Sequence, residues 1–429
     1  FYINMDLENE DGKYLSLKKL INKGKELVKS GNSEYIDTKI DIDDMAELLF
    51  TSGTTAKSKA VMLSQKNIVY NLHQMCQMVH IKDDDVFLSM LPMHHVYECV
   101  CGFLVPLYRG AAVAYCEGLR YIQKNLEEAH VSVFLSVPLV FETLYKKIWE
   151  AIDKQGKTKL VKTMIKITNI LDKVGIHLKR KIFKDIHNQL GGRARLYIAG
   201  AAGINPEVSK GFRDFGILAI QGYGLTECAP IVAVNRNNAH KDASVGLPLV
   251  GTELMVVNVN EDGVGEIITK GDHVMLGYYE NEEATKENLK DGWFYTGDLG
   301  YQDDDGFVYI TGRKKNVLIT KNGKNVYPEE IEALLNDSDY IEESMVYLKP
   351  VKDDLVLSAE IRVNKEYIEE NFKDISKEEL KKIIWEEVKR IQQDLVIYKH
   401  IKEIHIRETE FEKTTTLKIK RYLEKTVQK

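Results

Sequence analysis

The sequence predicts a multi-layered α/β domain followed by a smaller α+β unit, on three observations. From Asp41 to about Gly312, short apolar runs alternate with helical patterns, as expected of strands buried on both faces and joined by crossover helices. From about Gly251 to Tyr309 the turns Asp262-Gly263, Asp291-Gly292 and Asp305-Gly306 separate short alternating strands, the texture of a small β subdomain. Beyond Arg313 come a strand pair, a long helix and a last strand, a unit of roughly a hundred residues and so of ordinary domain size.

Taken in order, residues 1–40 read as a polar surface hairpin and a short helix, Leu15 to Val28, with little to bury. Phe1 is not an initiator methionine, so this stretch is expected to be the remnant of a longer N-terminal segment. Strands are expected over Glu47–Thr51, Val86–Met90, Ala111–Tyr115, Val131–Leu135, Leu196–Ala199 and Ile217–Ile220, with helices over Gln65–Val79 and Leu139–Ile152. Ser64 stands where the first of these helices needs an N-cap. The large domain is thus placed at 41–312, with 251–309 as its β-rich part and a hinge at about 313–316. The C-terminal domain is placed at 316–429, with strands Ser344–Leu348 and Val356–Val363, a helix carrying Leu380, Ile383, Ile384, Val388 and Ile391 on one face, and a strand near His400–Ile406.

Composition narrows the function. With 429 residues, 44% hydrophobic and 29% charged, the chain can bury a sizeable core, which argues against disorder and fibres. A net charge of -6 gives no global attraction to nucleic acid. Five cysteines cannot form a full disulfide framework in a chain this long and read as reduced thiols. No apolar run is long enough to span a bilayer, and the expected location is the cytoplasm. Residues 154–184 carry ten Lys or Arg against one acid, Asp172, with Leu160, Met164, Leu171, Val174 and Leu178 at helical spacing. This basic amphipathic stretch reads either as a solvated helix face or as peripheral contact with an anionic membrane or acidic partner.

Five motifs carry chemistry. Thr51-Ser52-Gly53-Thr54-Thr55, continuing to Lys59, follows an apolar run and offers hydroxyls, backbone N–H groups and lysines able to wrap phosphate oxygens, without the spacing of a Walker loop. In Gln221-Gly222-Tyr223-Gly224-Leu225-Thr226-Glu227 the glycines admit a nucleotide to the backbone and Tyr223 offers a flat apolar face. There Thr226 suits a phosphate contact and Glu227 is a hard oxygen ligand for Mg²⁺. Asp298, in Tyr295-Thr296-Gly297-Asp298, can accept hydrogen bonds from ribose hydroxyls. Gly312-Arg313-Lys314-Lys315 lies at the domain boundary, and Lys413 to Arg421, including Lys418, lies near the C-terminus.

In this order the motifs resemble the adenylate-forming superfamily of acyl-CoA synthetases, luciferases and peptide-synthetase adenylation domains, over residues 41 to 429. Leu91-Pro92-Met93-His94-His95-Val96-Tyr97-Glu98, the segment around Gly277-Tyr278-Tyr279 and Gly323 to Glu332 are most similar to bacterial long- or medium-chain fatty acyl-CoA synthetases. The resemblance implies that Thr51 to Lys59 hold the β- and γ-phosphates of ATP, and that Gly200-Ala201-Ala202 and Gln221 to Gly224 surround adenine. It further implies that Asp298 and Arg313 grip the ribose and that Mg²⁺ sits near Glu227. Lys418 is implied to act at the α-phosphate, His95 to line the acyl and pantetheine entry, and Lys315 to be the hinge about which the C-terminal domain turns before coenzyme A attacks. Ala56, Ser58, Ala60 and Leu417 replace residues that the superfamily usually has as Gly, Pro, Gly and Gly, so altered loop dynamics are expected. The alternatives are a ligase to an acyl carrier protein, a luciferase-like oxygenase and a non-catalytic AMP-binding homologue. An acid–thiol ligase acting on small molecules, with no nucleic-acid partner, is the expectation taken forward.

Overall fold

The structure, a computed structural model, describes residues 2–51, 58–320, 324–351, 354–372, 375–414 and 419–424. Chain contacts divide it into two compact units, residues 1–44 and 45–429. In the first, Tyr2–Asn4 and Tyr14–Ser16 pair in parallel, where a hairpin was expected. The connection reverses twice, the second time at a tight Asp11–Tyr14 bridge around Gly12 (φ +56°), so the second strand runs the same way as the first. The helix Leu17–Lys29 then starts from Ser16, whose hydroxyl accepts the Lys19 N–H.

The second unit is built on a seven-stranded sheet. Ala112–Tyr115, Val86–Ser89, Val133–Ser136, Leu196–Ala199 and Leu218–Gly224 lie side by side in parallel, and Ile231–Val234 and Leu247–Pro248 extend the edge antiparallel. All four residues of Val133–Ser136 are buried, because both faces of the sheet are covered. Strand alternation splits the core: Val133 and Leu135 join the cluster under the helix Gln65–Met78, and Phe134 joins the cluster under Pro138–Lys154. Ser64 caps Gln65–Met78 in a reciprocal capping box with Asn67. In that helix Asn71 donates to the carbonyls of Cys228 and Ile231 at 3.0 and 2.7 Å.

One buried carboxylate pins the start of the parallel strands. Asp85 precedes Val86–Ser89, Ser132 precedes Val133–Ser136, and Arg195 precedes Leu196–Ala199. Ser132 donates to Asp85 Oδ1 at 2.7 Å, Arg195 Nε to the same oxygen at 2.8 Å, and the Lys82 N–H to Oδ2 at 2.8 Å. Three adjacent strands therefore share one anion.

The small β part expected at 251–309 forms a five-stranded sheet of Glu253–Val257, Gly265–Lys270, Leu289–Lys290, Trp293–Gln302 and Val308–Arg313. Its Asp291-Gly292 turn has positive φ at both residues, the mirror-image geometry that a two-residue hairpin requires. A third sheet pairs Met45–Thr51 with Lys59–Ser64 and adds Gly277–Tyr278. Further along, Ile341–Val351, Asp354–Val363 and Glu403–Arg407 form the last sheet. The helix Lys377–Ile391 covers it with Ile384 and Val388 fully buried, and Ser376 and Glu379 close its capping box. Arg421 pairs with buried Glu332, which also accepts the Val346 N–H, tying the last described residues to this core.

Burial alone would push the Asp85 carboxyl up, but Arg195, the Lys82 N–H and Ser132 outweigh it and hold the group below its ordinary range. With a depressed pKa, its contribution is present above about pH 4 and lost as pH falls through the folded value. We expect Asp85→Asn to cost about 3 kcal/mol in urea unfolding at pH 7. The gap between variant and wild type should narrow as pH falls below about 4.

Candidate active site

Pairing of Met45–Thr51 with Lys59–Ser64 places Thr51 opposite Lys59, and the Thr51 hydroxyl donates to the Lys59 carbonyl at 3.3 Å. Ser52, Gly53, Thr54 and Thr55, between them, lie outside the described residues. The Lys59 ammonium stands 4.6 Å from the centre of the Tyr278 ring, a cation–π distance. Tyr278 in turn donates to Glu227 Oε1 at 2.9 Å. It reaches this place because Gly277–Tyr278 adds a strand beside Lys59–Ser64, while the Glu227 carbonyl accepts the Met275 N–H at 2.9 Å. Burial, reinforced by Glu227, pushes the Tyr278 phenol well up, so it remains a donor. Tyr278 stood in the quoted motif without a role; only strand pairing shows that it bridges Lys59 and Glu227.

A second node lies at Asp298, which is 3% exposed. Register sets it opposite Arg313, whose Nε lies 2.6 Å from Oδ1. Tyr223 donates to Oδ2 at 2.7 Å. Tyr223 is thus held by its hydroxyl as well as offering its ring. Lys315, two residues past Arg313, has its ammonium pushed down to about 8 by burial, with Arg313 next in effect and Lys59 adding a smaller push in the same direction.

The expected adenine wall is assembled from neighbouring strand ends. Gly200 is needed there: a Cβ would lie 2.7 Å from the Tyr97 ring. Ala201 has φ +70°, a left-handed conformation that is uncommon outside glycine, and Ala202 follows it along the same cleft. Gly224 is equally constrained, since a Cβ would meet the Pro230 carbonyl oxygen at 1.9 Å. The Gln221 side chain is committed to the wall: it accepts the Ile204 N–H and donates to the carbonyls of Asp242 and Ser244. Gly222 and Thr226 line the cleft beside it.

These groups share one cleft of about 2850 Å³. Away from the charged groups its wall is apolar, with Met75, Cys76, Val79, Ile81, Phe87 and Val105. His95 also lines it; burial and nearby His94, 4.7 Å away between ring centres, lower its pKa and favour the neutral ring near pH 7. Thr414, Ile419 and Arg421 also line the cleft. Lys418 lies outside the described residues.

Behind His95 a π-helix runs over Tyr97–Leu104, a rare form that is frequent at functional sites. Its Glu98 is 1% exposed, with Ser89 and the Leu91 N–H the polar groups that act on its carboxylate. Gly102 makes room for the carboxyl, because a Cβ there would lie 2.7 Å from it. Nothing in the spacing of the sequence announces this turn.

Among the described residues no group of three His, Cys, Asp or Glu could hold a metal ion. Glu227 alone nevertheless fits Mg²⁺, which usually takes one or two carboxylates and completes its shell with phosphate oxygens and water.

Residues 6–279 match the family described as AMP-binding enzyme. The chain belongs to this family. Among relatives of this AMP-binding enzyme, the chloroplastic long-chain-fatty-acid–acyl-carrier-protein ligase of Arabidopsis thaliana is 30% identical, over 87% of this chain and 59% of the relative. A long-chain-fatty-acid–CoA ligase of Mycobacterium bovis is 31% identical, over 71% of this chain and 52% of its own length. The chain therefore spans little more than half of the curated relatives it matches. Among solved structures, O-succinylbenzoate coenzyme A synthetase from Bacillus subtilis, in complex with ATP and magnesium ion, superposes with a TM-score of 0.69 at 21% identity, covering 98% of this chain and 78% of that one. An anthranilate CoA ligase in complex with anthranoyl-AMP gives 0.72 at 19% identity, covering 98% of this chain and 72% of that one. The fold of this AMP-binding enzyme is that of the adenylate-forming enzymes.

Glu98 supplies a pH signature for this site. Burial, only partly offset by Ser89 and the Leu91 N–H, raises its carboxyl to about 7. With a raised pKa, the wild type is at its most stable relative to an uncharged isostere below about pH 4 and loses that stability as pH rises through 7. We expect Glu98→Gln to match the wild type in denaturant unfolding at pH 4 and to exceed it by roughly 3 kcal/mol at pH 8.5. A variant that tracks the wild type across this range would show that Glu98 is not a buried acid.

Proposed function

We propose that the protein is an ATP-dependent acyl-CoA synthetase that activates a medium- or long-chain fatty acid as its acyl-adenylate and passes the acyl group to coenzyme A. One observation carries this reading: a single cleft joins Lys59, Glu227, Asp298, Arg313 and Lys315 to a wall of aliphatic and aromatic side chains. A carboxylate borne on an apolar chain can enter along the apolar wall and meet a nucleotide held by the charged groups.

The chemistry then follows from charge. A carboxylate and ATP repel each other, so the site must neutralise the α-phosphate as pyrophosphate leaves. Lys59 and Lys315 supply positive charge, and a phosphate beside Lys315 favours its protonated form. Mg²⁺, when bound with Glu227, supplies further charge neutralisation at the phosphates. Asp298 and Arg313 orient the ribose, with Tyr223 and the Gly200-Ala201-Ala202 segment against adenine, and Thr51 with the turn after it on the outer phosphates. Thr226 contacts phosphate beside Glu227. Lys418 is assigned to the α-phosphate and Lys315 to the hinge; the thiol needs the place that Lys418 occupies in the first step, so the C-terminal part must turn between steps. His95 stands at the thiol entry as a neutral ring.

A second acceptor has a specific observation in its favour. The Arabidopsis relative, matched over 87% of this chain, is named as a ligase to acyl carrier protein. Both acceptors use the same adenylation residues.

The test is ATP–pyrophosphate exchange by the full-length protein over carboxylic acids of increasing length, followed by AMP release with coenzyme A or an acyl carrier protein as acceptor. We expect exchange to rise with chain length and AMP release to need coenzyme A. Lys418→Ala should lower exchange by about 10²-fold or more while leaving transfer from supplied acyl-adenylate within a few-fold of wild type. Absence of exchange with every acid would overturn the proposal in favour of a non-catalytic AMP-binding protein.

A further inference from the structure

The helix Thr158–Lys173 carries two apolar stripes, and the core uses only one. Val161, Met164 and Ile165 pack on the cluster beneath it, and Thr168 is fully buried. On the outer side, Leu160, Ile167, Ile170 and Val174, the last capping the helix, follow one another at steps of seven, three and four residues, which keeps them on one face. They are 55, 42, 64 and 69% exposed, and Ile176 and Ile182 just beyond are 47 and 39% exposed. Single exposed aliphatic side chains are ordinary; a contiguous ridge of them is not.

Charge is arranged along the same ridge. Lys159, Lys162, Lys166 and Lys173, all exposed, recur at steps of three, four and seven residues, so they form one row along a flank of the stripe. Lys181 and Lys184 are also exposed. The single acid between 154 and 184, Asp172, is engaged by Lys179 at 2.8 Å and His177 at 3.0 Å. Among the described residues none of the four flanking lysines is in an ion pair; Lys162 instead lies 5.8 Å from the Trp149 ring centre.

We propose that this helix face is a docking surface for an anionic lipid bilayer, on which the helix lies flat with its outer aliphatic stripe among the acyl chains and its lysine row at the headgroups. The helix holds neither aromatic nor arginine anchors, whereas protein partners favour those residues and disfavour lysine. Lysines beside an aliphatic stripe match the diffuse negative charge of a lipid surface, which asks for no fixed geometry. Among the described residues no helix is long and apolar enough to cross a membrane, so the contact is peripheral. The inference is independent of the acyl acceptor and of catalysis.

Flotation with extruded vesicles tests it, comparing phosphatidylcholine alone with phosphatidylcholine containing about 30% phosphatidylglycerol, at low and high salt. We expect the full-length protein to bind the anionic vesicles at least about tenfold more tightly and to be released by salt. Ile167→Ser combined with Ile170→Ser should weaken binding about tenfold or more. Lys159→Gln, Lys162→Gln, Lys166→Gln and Lys173→Gln together should abolish the preference for anionic lipid. All these side chains face away from the core, so melting temperatures should match the wild type and separate lost docking from lost folding. Equal binding to both vesicle types, binding insensitive to both sets of substitutions, or surface-dependent binding to an acidic polypeptide with none to vesicles would overturn the proposal.

Discussion

The buried carboxylate of Asp298 is the constraint around which the site is organised. Burying an anion is costly unless it is paired and hydrogen-bonded, and here Tyr223 and Arg313 supply both. Tyr223 belongs to the last parallel strand of the main sheet, Asp298 to the central strand of the small β sheet, and Arg313 to that strand's neighbour, at the point where the chain passes on towards its C-terminal part. One charge therefore joins the main sheet to two neighbouring strands of the small β sheet. The Lys59–Tyr278–Glu227 bridge repeats the device: a tyrosine delivered by strand pairing sets a cation and an anion in fixed relation.

Much of this was legible in the sequence because it is local or periodic. The main strands are continuous apolar runs, Ser64 announces a helix start, and Asp-Gly pairs mark the turns of the small sheet. Glu227, Asp298 and Arg313 were singled out from their motifs, and the structure brings them to one cleft. What escaped the sequence depends on tertiary register. Tyr278 gains its place from an added strand, and Gln221 spends its side chain on Ile204, Asp242 and Ser244 rather than on the open cleft. The π-helix at Tyr97–Leu104 arises where Glu98 is accommodated against Gly102, and the N-terminal strands pair in parallel because of a second reversal that hydrophobic pattern does not encode.

The outer face of the basic helix shows the complementary case. Its pattern was visible in the sequence, but spacing alone left two readings open, since an apolar stripe may belong to a core or to a surface. Burial resolves the helix into one stripe that serves the core and another that does not. None of its outward-facing residues lines the cleft that holds Lys59, Glu227 and Asp298.

The most direct measurement of the central claim is calorimetric titration of AMP into the wild type and into Asp298→Asn, which keeps the side-chain size and removes the charge. If Asp298 organises the nucleotide site, the variant binds AMP about 100-fold more weakly, about 2.7 kcal/mol, with an unchanged circular dichroism spectrum. Equal affinity in the two proteins would contradict it.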